Sequence, residues 1–354
     1  MESRVNQPTT ALVLETNNLR GDHADPELVV KTLERLLVHL RGQTRPLSQL
    51  NEVVVTHDGI SEVEQVRLQH AAGVVIRFVR ISPDCGYYQA KNAGFDATSA
   101  DIVAFGDTDC WPDSDWLDCL LKPFEARDAA PLVVAGRTTY RKDLWGIAAS
   151  TIDFMYFPSP LGPDCTRNFY ANNVAFKREA FAEHRYAPAE GIYRGHCQVL
   201  GLRLQSRGVK VAFEPKARTT HRFPDSLRDF LRLRLLRGED AARLTPYLAE
   251  AYLPPRFQAL GRTGPIASLA VLGIRFACSL RAIGRQDMPA LTGWRRLGCV
   301  GIVAGISVVD AVGSITRGFP LSTKQRPMNE AEARSLSYHR NVDGLVSSHQ
   351  RNTR

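Results

Sequence analysis

Two aspartates, Asp107 and Asp109, stand two residues apart where an apolar run ends in AFGDTDCWPDSDWL (104–117). Residues i and i+2 of an extended segment point the same way. Both carboxylates can therefore reach one divalent cation and leave coordination positions for phosphate oxygens. A solvated acidic turn has the same composition, but its place directly after an apolar strand favours the ligand reading. An EF-hand loop does not fit, because Trp111 stands at the fifth ligand position and no glycine follows it. Two further polar clusters close apolar runs in the same manner: Thr16-Asn17-Asn18 and His57-Asp58-Gly59.

Elements that alternate in kind must position these clusters. Apolar, β-rich runs occur at 11–16, 52–59, 74–80 and 101–109. Asp25-Pro26-Glu27 opens a helix between the first two, with a cap, a first-turn proline and an acidic residue near the positive dipole end. Leu28, Val29, Leu33, Leu36, Leu37 and Leu40 then recur at helical spacing. Ser61 and Glu64 form a capping box for a second helix, and a third is expected over 88–97. Such alternation implies right-handed βαβ units and a mostly parallel, Rossmann-like sheet flanked by helices. Ligands of these sheets bind beyond the carboxyl ends of the strands, where all three clusters fall.

The chain here resembles the family 2 glycosyltransferases, whose nucleotide-sugar domain has the GT-A fold. The resemblance rests on the order of Asn17-Asn18, THDG, QAKNAGFDATSADIVAFGDTD, NNVAFKREAF and LRLQSRGVKVAFEPKARTTH, from residue 11 to about 240. It implies a nucleotide-binding half over 11–135 and an acceptor half over 136–240, preceded by a disordered 1–10. It also implies an inverting hexosyltransferase, moving sugar from a UDP-, GDP- or dTDP-linked donor to a hydroxyl acceptor, which the basic C-terminal half suggests is a lipid-linked or cell-envelope glycan. By the same resemblance Thr16, Asn18 and Asp58 hold the nucleoside, and Lys91 and Asn92 the nucleotide. Asp107 meets ribose or metal, Asp109 and His221 bind Mg²⁺ or Mn²⁺, and Asn172 and Asn173 line the sugar side. Lys91 stands where the family usually has arginine, so the planar bidentate fork is lost.

One departure concerns the general base. Most of the family place a Gly-Glu-Asp carboxylate before the helix that matches LRLQSRG, whereas this chain reads Arg194-Gly195-His196-Cys197-Gln198. His196 is the candidate base, since imidazole titrates in the useful range, and Glu190 and Asp164 are carboxylates close by. Gly238-Glu239-Asp240 spells the missing tripeptide but comes after His221, out of order. The gap leaves open a non-catalytic binding module. A nucleotidyltransferase is the other alternative, but its Gly-rich basic loop is not matched by ETNNLRGDHAD, with one glycine and one arginine.

The two halves of the chain differ in charge. Residues 1–200 hold 20 Lys and Arg against 26 Asp and Glu, a net of −6, and residues 201–354 carry +14. The basic half suits phosphates, an anionic lipid surface or nucleic acid. Nucleic acid is disfavoured, because the basic stretches lack interleaved aromatics. FPDSLRDFLRLRLLRGED sets Arg228, Arg232, Arg234 and Arg237 on one helical stretch, with Arg234 and Arg237 as candidates to clamp a diphosphate or an anionic lipid-linked acceptor.

The windows 265–280 and 298–316 are the most apolar, and Arg275 and Asp310 interrupt them. They are expected as a helical extension over 241–319, packed on the domain, in peripheral contact with a membrane or spanning it, followed by a polar, disordered tail over 320–354. Seven scattered cysteines without CxxC pairs read as reduced thiols, and no apolar leader follows the first methionine. The expected location is cytoplasmic, at the inner face of the membrane.

Overall fold

A computed structural model describes residues 8–16, 26–126, 130–187, 195–283 and 291–317. The strands are β1 (Thr10–Glu15), β2 (Glu52–His57), β3 (Arg77–Arg80), β4 (Ile102–Asp107), β5 (Cys110–Pro112), β6 (Val133–Thr139), β7 (Cys165–Thr166), β8 (Asn173–Lys177) and β9 (Val211–His221). The first seven helices are α1 (Pro26–Arg41), α2 (Glu62–Ala72), α3 (Tyr87–Asp96), α4 (Trp116–Leu121), α5 (Leu144–Asp153), α6 (Arg178–Glu183) and α7 (His196–Ser206). The C-terminal part adds α8 (Leu227–Tyr252), α9 (Pro255–Gln258), α10 (Pro265–Ala282) and α11 (Gly293–Arg317).

One sheet runs in the order β3-β2-β1-β4-β8-β6-β9-β5, with β7 beside β9. The first four strands are parallel, as the βαβ alternation requires. Beyond β4 the sheet is mixed: β8 is antiparallel to both β4 and β6, while β6 and β9 are parallel. The expectation of a mostly parallel sheet therefore holds across the β3–β4 side and for the β6–β9 pair. The mixed character comes from β8, antiparallel to both of its neighbours, and from β5 and β7, each antiparallel to β9.

Strand side chains alternate between the two faces. Leu12, Leu14, Val53 and Val55 pack with Leu33, Leu37 and Leu40 of α1 and Leu117 and Leu120 of α4. Ala11, Val13, Val54, Val103 and Phe105 face the other way, onto Phe95 of α3, Phe181 of α6 and Leu200 of α7. The Ser61 capping box forms as expected, with Ser61 accepting from the Glu64 backbone and Glu64 reaching back.

A third core joins α5, α8 and α11 through Ile147, Ile152, Phe230, Cys299, Val303 and Ile306. Helix α8, capped by Ser226, crosses residue 240 unbroken, so one helix rather than a linker joins the C-terminal helices to the sheet domain. Helices α8 and α11 touch at the backbone. A Cβ on Gly313 would lie 2.3 Å from the Leu235 carbonyl oxygen, and one on Gly238 would lie 2.1 Å from that of Asp310. None of the seven cysteines forms a disulfide.

Candidate functional site

The polar clusters meet at one edge because the register makes them level. Glu15 of β1 pairs with Asp107 of β4, and the Thr108 amide donates to the Glu15 carbonyl at 3.2 Å. Thr16 lies beside them, buried, with its hydroxyl donating to the Thr56 carbonyl at 2.8 Å. Asp58 follows β2 at the same edge and is half-buried. Asn18, expected on the nucleoside, lies outside the described residues.

The two aspartates of the DxD pair have different partners. Asp107 is buried, with Oδ1 taking the Lys91 ammonium at 2.5 Å and Oδ2 accepting from the Tyr87 hydroxyl at 2.7 Å. Lys91 Nζ also donates to the Gly106 carbonyl at 3.1 Å. Burial pushes the Asp107 carboxyl above its ordinary value, and Lys91 pulls it back. Lys91 is wholly buried, so the expected nucleotide contact gives way to an internal ion pair. A point-charge ammonium is satisfied by the nearest buried carboxylate, because leaving either group unpaired there is costly. Asn92 is likewise used inside the protein, its amide donating to the Tyr186 carbonyl at 2.9 Å.

Asp109 lies past the strand end and faces β9. In the β5–β9 pair Cys110 sits directly opposite His221. This pairing brings His221 Nε2 to 3.5 Å from Asp109 Oδ2. The donor atoms of Asp109, Cys110 and His221 all lie within 4.8 Å of one another. His221 Nδ1 sits 2.8 Å from the Arg222 carbonyl, which can only accept. Nδ1 therefore carries a proton, and in the neutral ring the Nε2 lone pair faces Asp109. A carboxylate and an imidazole whose second nitrogen is fixed by a carbonyl suit a divalent cation such as Mn²⁺ or Mg²⁺. Of the residues expected to bind metal, the structure brings together Asp109 and His221, while both oxygens of Asp107 are already engaged.

The remaining described candidates are engaged within the protein. Asn173 is a buried strut, accepting from Trp116 Nε1 at 2.8 Å and donating to the Ala217 carbonyl at 2.9 Å. Asn172 accepts from the Thr138 hydroxyl at 3.0 Å. Arg234 is no clamp for an external phosphate: it is wholly buried, between Asp153 and Asp310. Arg237 leans on Asp153 at 2.5 Å and keeps a partly exposed guanidinium. His196 opens α7 buried, stacked on Tyr88 with ring centroids 4.3 Å apart, and burial lowers its pKa to about 4. Glu190 lies outside the described residues.

Three participants were missed in the sequence. Tyr87 precedes Lys91 by one helical turn, a spacing that places both on one face of α3 and could have been read. Cys110 could have been read as the residue after the DxD pair. Tyr140, whose ring meets His221 edge-to-face at 5.7 Å, left no sequence signal.

Residues 27–185 match the family model described as Glycosyl transferase family 2. Two curated relatives, each named pre-mycofactocin glycosyltransferase, come from the CDC 1551 and H37Rv strains of Mycobacterium tuberculosis. Each is 25% identical over 292 residues, 81% of this chain and 58% of the relative. The chain thus spans just over half the length of those relatives. A solved mannosyltransferase of Pyrobaculum calidifontis, in complex with GDP-Man and Mn²⁺, is similar over 88% of both chains, with a TM-score of 0.55 and 16% identity. That likeness establishes the GT-A fold.

Proposed function

Because residues 27–185 match the family 2 glycosyltransferase model, we propose that this chain transfers a sugar from a nucleotide-diphosphate donor to a hydroxyl acceptor at a membrane surface, with inversion. The observation that carries the donor half is the meeting of Asp109 Oδ2 and His221 Nε2 at 3.5 Å, beside the carboxyl ends of β1 and β4. Asp109 and His221 would hold the cation. A bound Mg²⁺ or Mn²⁺ supplies positive charge against the departing diphosphate. Asp58 and the β1 end near Thr16 would hold the nucleoside. The buried Lys91–Asp107–Tyr87 group fixes the strand end from which Asp109 projects.

The acceptor hydroxyl needs an unprotonated base within hydrogen-bond reach. His196 is buried and stacked on Tyr88, so we assign the role to Glu190 in the segment before α7.

Helices α10 and α11 support the membrane half of the reading. Both are long and apolar enough to cross a bilayer, and α11 also packs Cys299, Val303 and Ile306 into the third core. Three of their polar groups turn inward: Arg275 donates to the Ile152 carbonyl, Ser279 to the Thr151 carbonyl, and Asp310 takes Arg234. Ile266, Ile274, Leu297, Val308 and Ile315 are exposed instead. Exposed Arg281, Arg295 and Arg296 border this face, as anionic headgroups would favour. The arrangement suits shallow contact with the inner leaflet and a lipid-linked acceptor.

The test is thermal stabilisation by UDP, GDP and dTDP, each with Mn²⁺ or EDTA, in the wild type and Asp109→Asn. A metal-dependent rise with one nucleotide, lost in the variant, is expected. No rise with any of the three refutes the donor site. Flotation with vesicles containing anionic lipid, lost in Ile274→Ser/Leu297→Ser/Val308→Ser, tests the membrane face.

A further inference from the structure

The second metal-side residue, His221, is packed against a part of the protein that the sequence separates from it. Its imidazole meets two aromatic rings, Tyr140 edge-to-face and Phe154 tilted, each with centroids 5.7 Å away. Tyr140 and Phe154 touch each other at 4.9 Å, and both are buried. The Tyr140 hydroxyl donates to Asp153 Oδ2 at 3.1 Å and accepts from Arg237 Nη2 at 3.1 Å. Asp153 Oδ1 takes Arg234 Nη1 at 2.6 Å and Arg237 Nη1 at 2.5 Å. Arg234 turns the rest of its guanidinium to Asp310 of α11, with Nε on one carboxylate oxygen at 2.8 Å and Nη2 on the other. Residues of α11, α8 and α5 are thereby linked, contact by contact, to the ring beside the Asp109 site.

The cluster has little freedom to settle elsewhere. Arg234, Asp153 and Asp310 are all but inaccessible to solvent, and a planar guanidinium bound bidentately to one carboxylate and singly to another fixes both. The helix separation is fixed as well, since Gly238 and Gly313 place the α8 and α11 backbones in contact. Where Asp310 goes, Arg234 follows, and with it Asp153 and the Tyr140 hydroxyl. The α5 segment adds a second hold, because the Ser150 hydroxyl accepts from the Tyr140 amide at 2.8 Å.

We propose that the C-terminal helices complete the cation site: Asp310, acting through Arg234, Asp153 and Tyr140, is a positioning residue for His221. The inference rests on the reading of Asp109 and His221 as the cation-holding pair. On this basis α10 and α11 are part of the donor site's scaffold, and membrane contact on their outer face would be felt at the cation.

The experiment uses the full chain, with histidine rings isotopically labelled and His221 assigned by its loss in His221→Gln. Ring signals are recorded without metal, and Mn²⁺ binding is followed separately by the electron spin resonance of the free ion. Asp310→Asn and the milder Tyr140→Phe are compared with the wild type. The expected result is a displaced or doubled His221 ring signal in both variants, with Mn²⁺ bound about 10- to 100-fold more weakly, the range for losing a group that orients a ligand. Unchanged His221 signals and Mn²⁺ affinity within twofold of the wild type, in a cooperatively folded Asp310→Asn, overturn the proposal. Should Asp310→Asn not fold, Tyr140→Phe decides by the same two readouts. A wild type that binds no Mn²⁺ refutes the metal reading instead, and the metal-free ring signals still decide whether α11 positions His221.

Discussion

Replacing Arg234 by methionine should destabilise the protein far more than its single charge suggests. Methionine keeps most of the stem volume and removes the guanidinium. Asp153 retains Arg237 at 2.5 Å, but Asp310 loses its bidentate partner while remaining buried. Removing one member of a buried pair costs about 3–5 kcal/mol, because the remaining charge is uncompensated. With a urea slope near 3 kcal/mol/M, the upper end for single domains, the midpoint should fall by about 1 to 1.7 M. Adding Asp310→Asn removes the stranded charge and should recover part of that loss. The effect should also shrink in acid. Burial alone would raise the Asp153 carboxyl, but Arg234 and then Arg237 overcome it and hold it at about 2. A carboxyl with a depressed folded pKa contributes stability above the unfolded value of 3.8 and loses it as pH falls towards 2. The wild-type advantage over Arg234→Met should therefore narrow below about pH 4. A midpoint shift under about 0.3 M at pH 7, as an exposed ion pair would give, refutes the reasoning.

Two further outcomes follow from named contacts. His196 titrates at about 4 against 6.5 when unfolded, because burial disfavours the imidazolium, so stability should be lost as pH falls from 6.5 to 4. The full shift corresponds to about 3 kcal/mol, and urea midpoints across that window should fall less in His196→Phe, which keeps the ring against Tyr88; equal falls would refute the assignment. Gly313→Ala places a methyl 2.3 Å from the Leu235 carbonyl and should cost about 1–3 kcal/mol through forced separation of α8 and α11, whereas Gly301→Ala, facing open space, should stabilise or be neutral in the same urea assay.

The local signals were sufficient for the parallel side of the sheet. Hydrophobic runs at 11–16, 52–59 and 101–109 became β1, β2 and β4, and Leu33, Leu36, Leu37 and Leu40 of α1 face the sheet while Leu28 is exposed, because period and burial are read from near neighbours alone. The DxD pair was placed at the ligand edge for the same reason: a strand end is a local event. Its division of labour was not local. Lys91 comes from α3, and only the packing of α3 on β4 shows that its ammonium belongs to Asp107. The arginines of α8 illustrate the limit from the other side. One-dimensional spacing presents Arg234 as a surface clamp, and its partners Asp153 and Asp310 are distant in the chain, so only the docking of α5 and α11 shows it to be buried. The residue types and their periodicity determined the strands and helices of the nucleotide side, the Ser61 cap and the presence of a carboxylate pair. Which charges meet in the interior was decided by tertiary structure, because a buried charge is satisfied by whatever the fold brings within hydrogen-bond reach and sequence distance does not enter that energy.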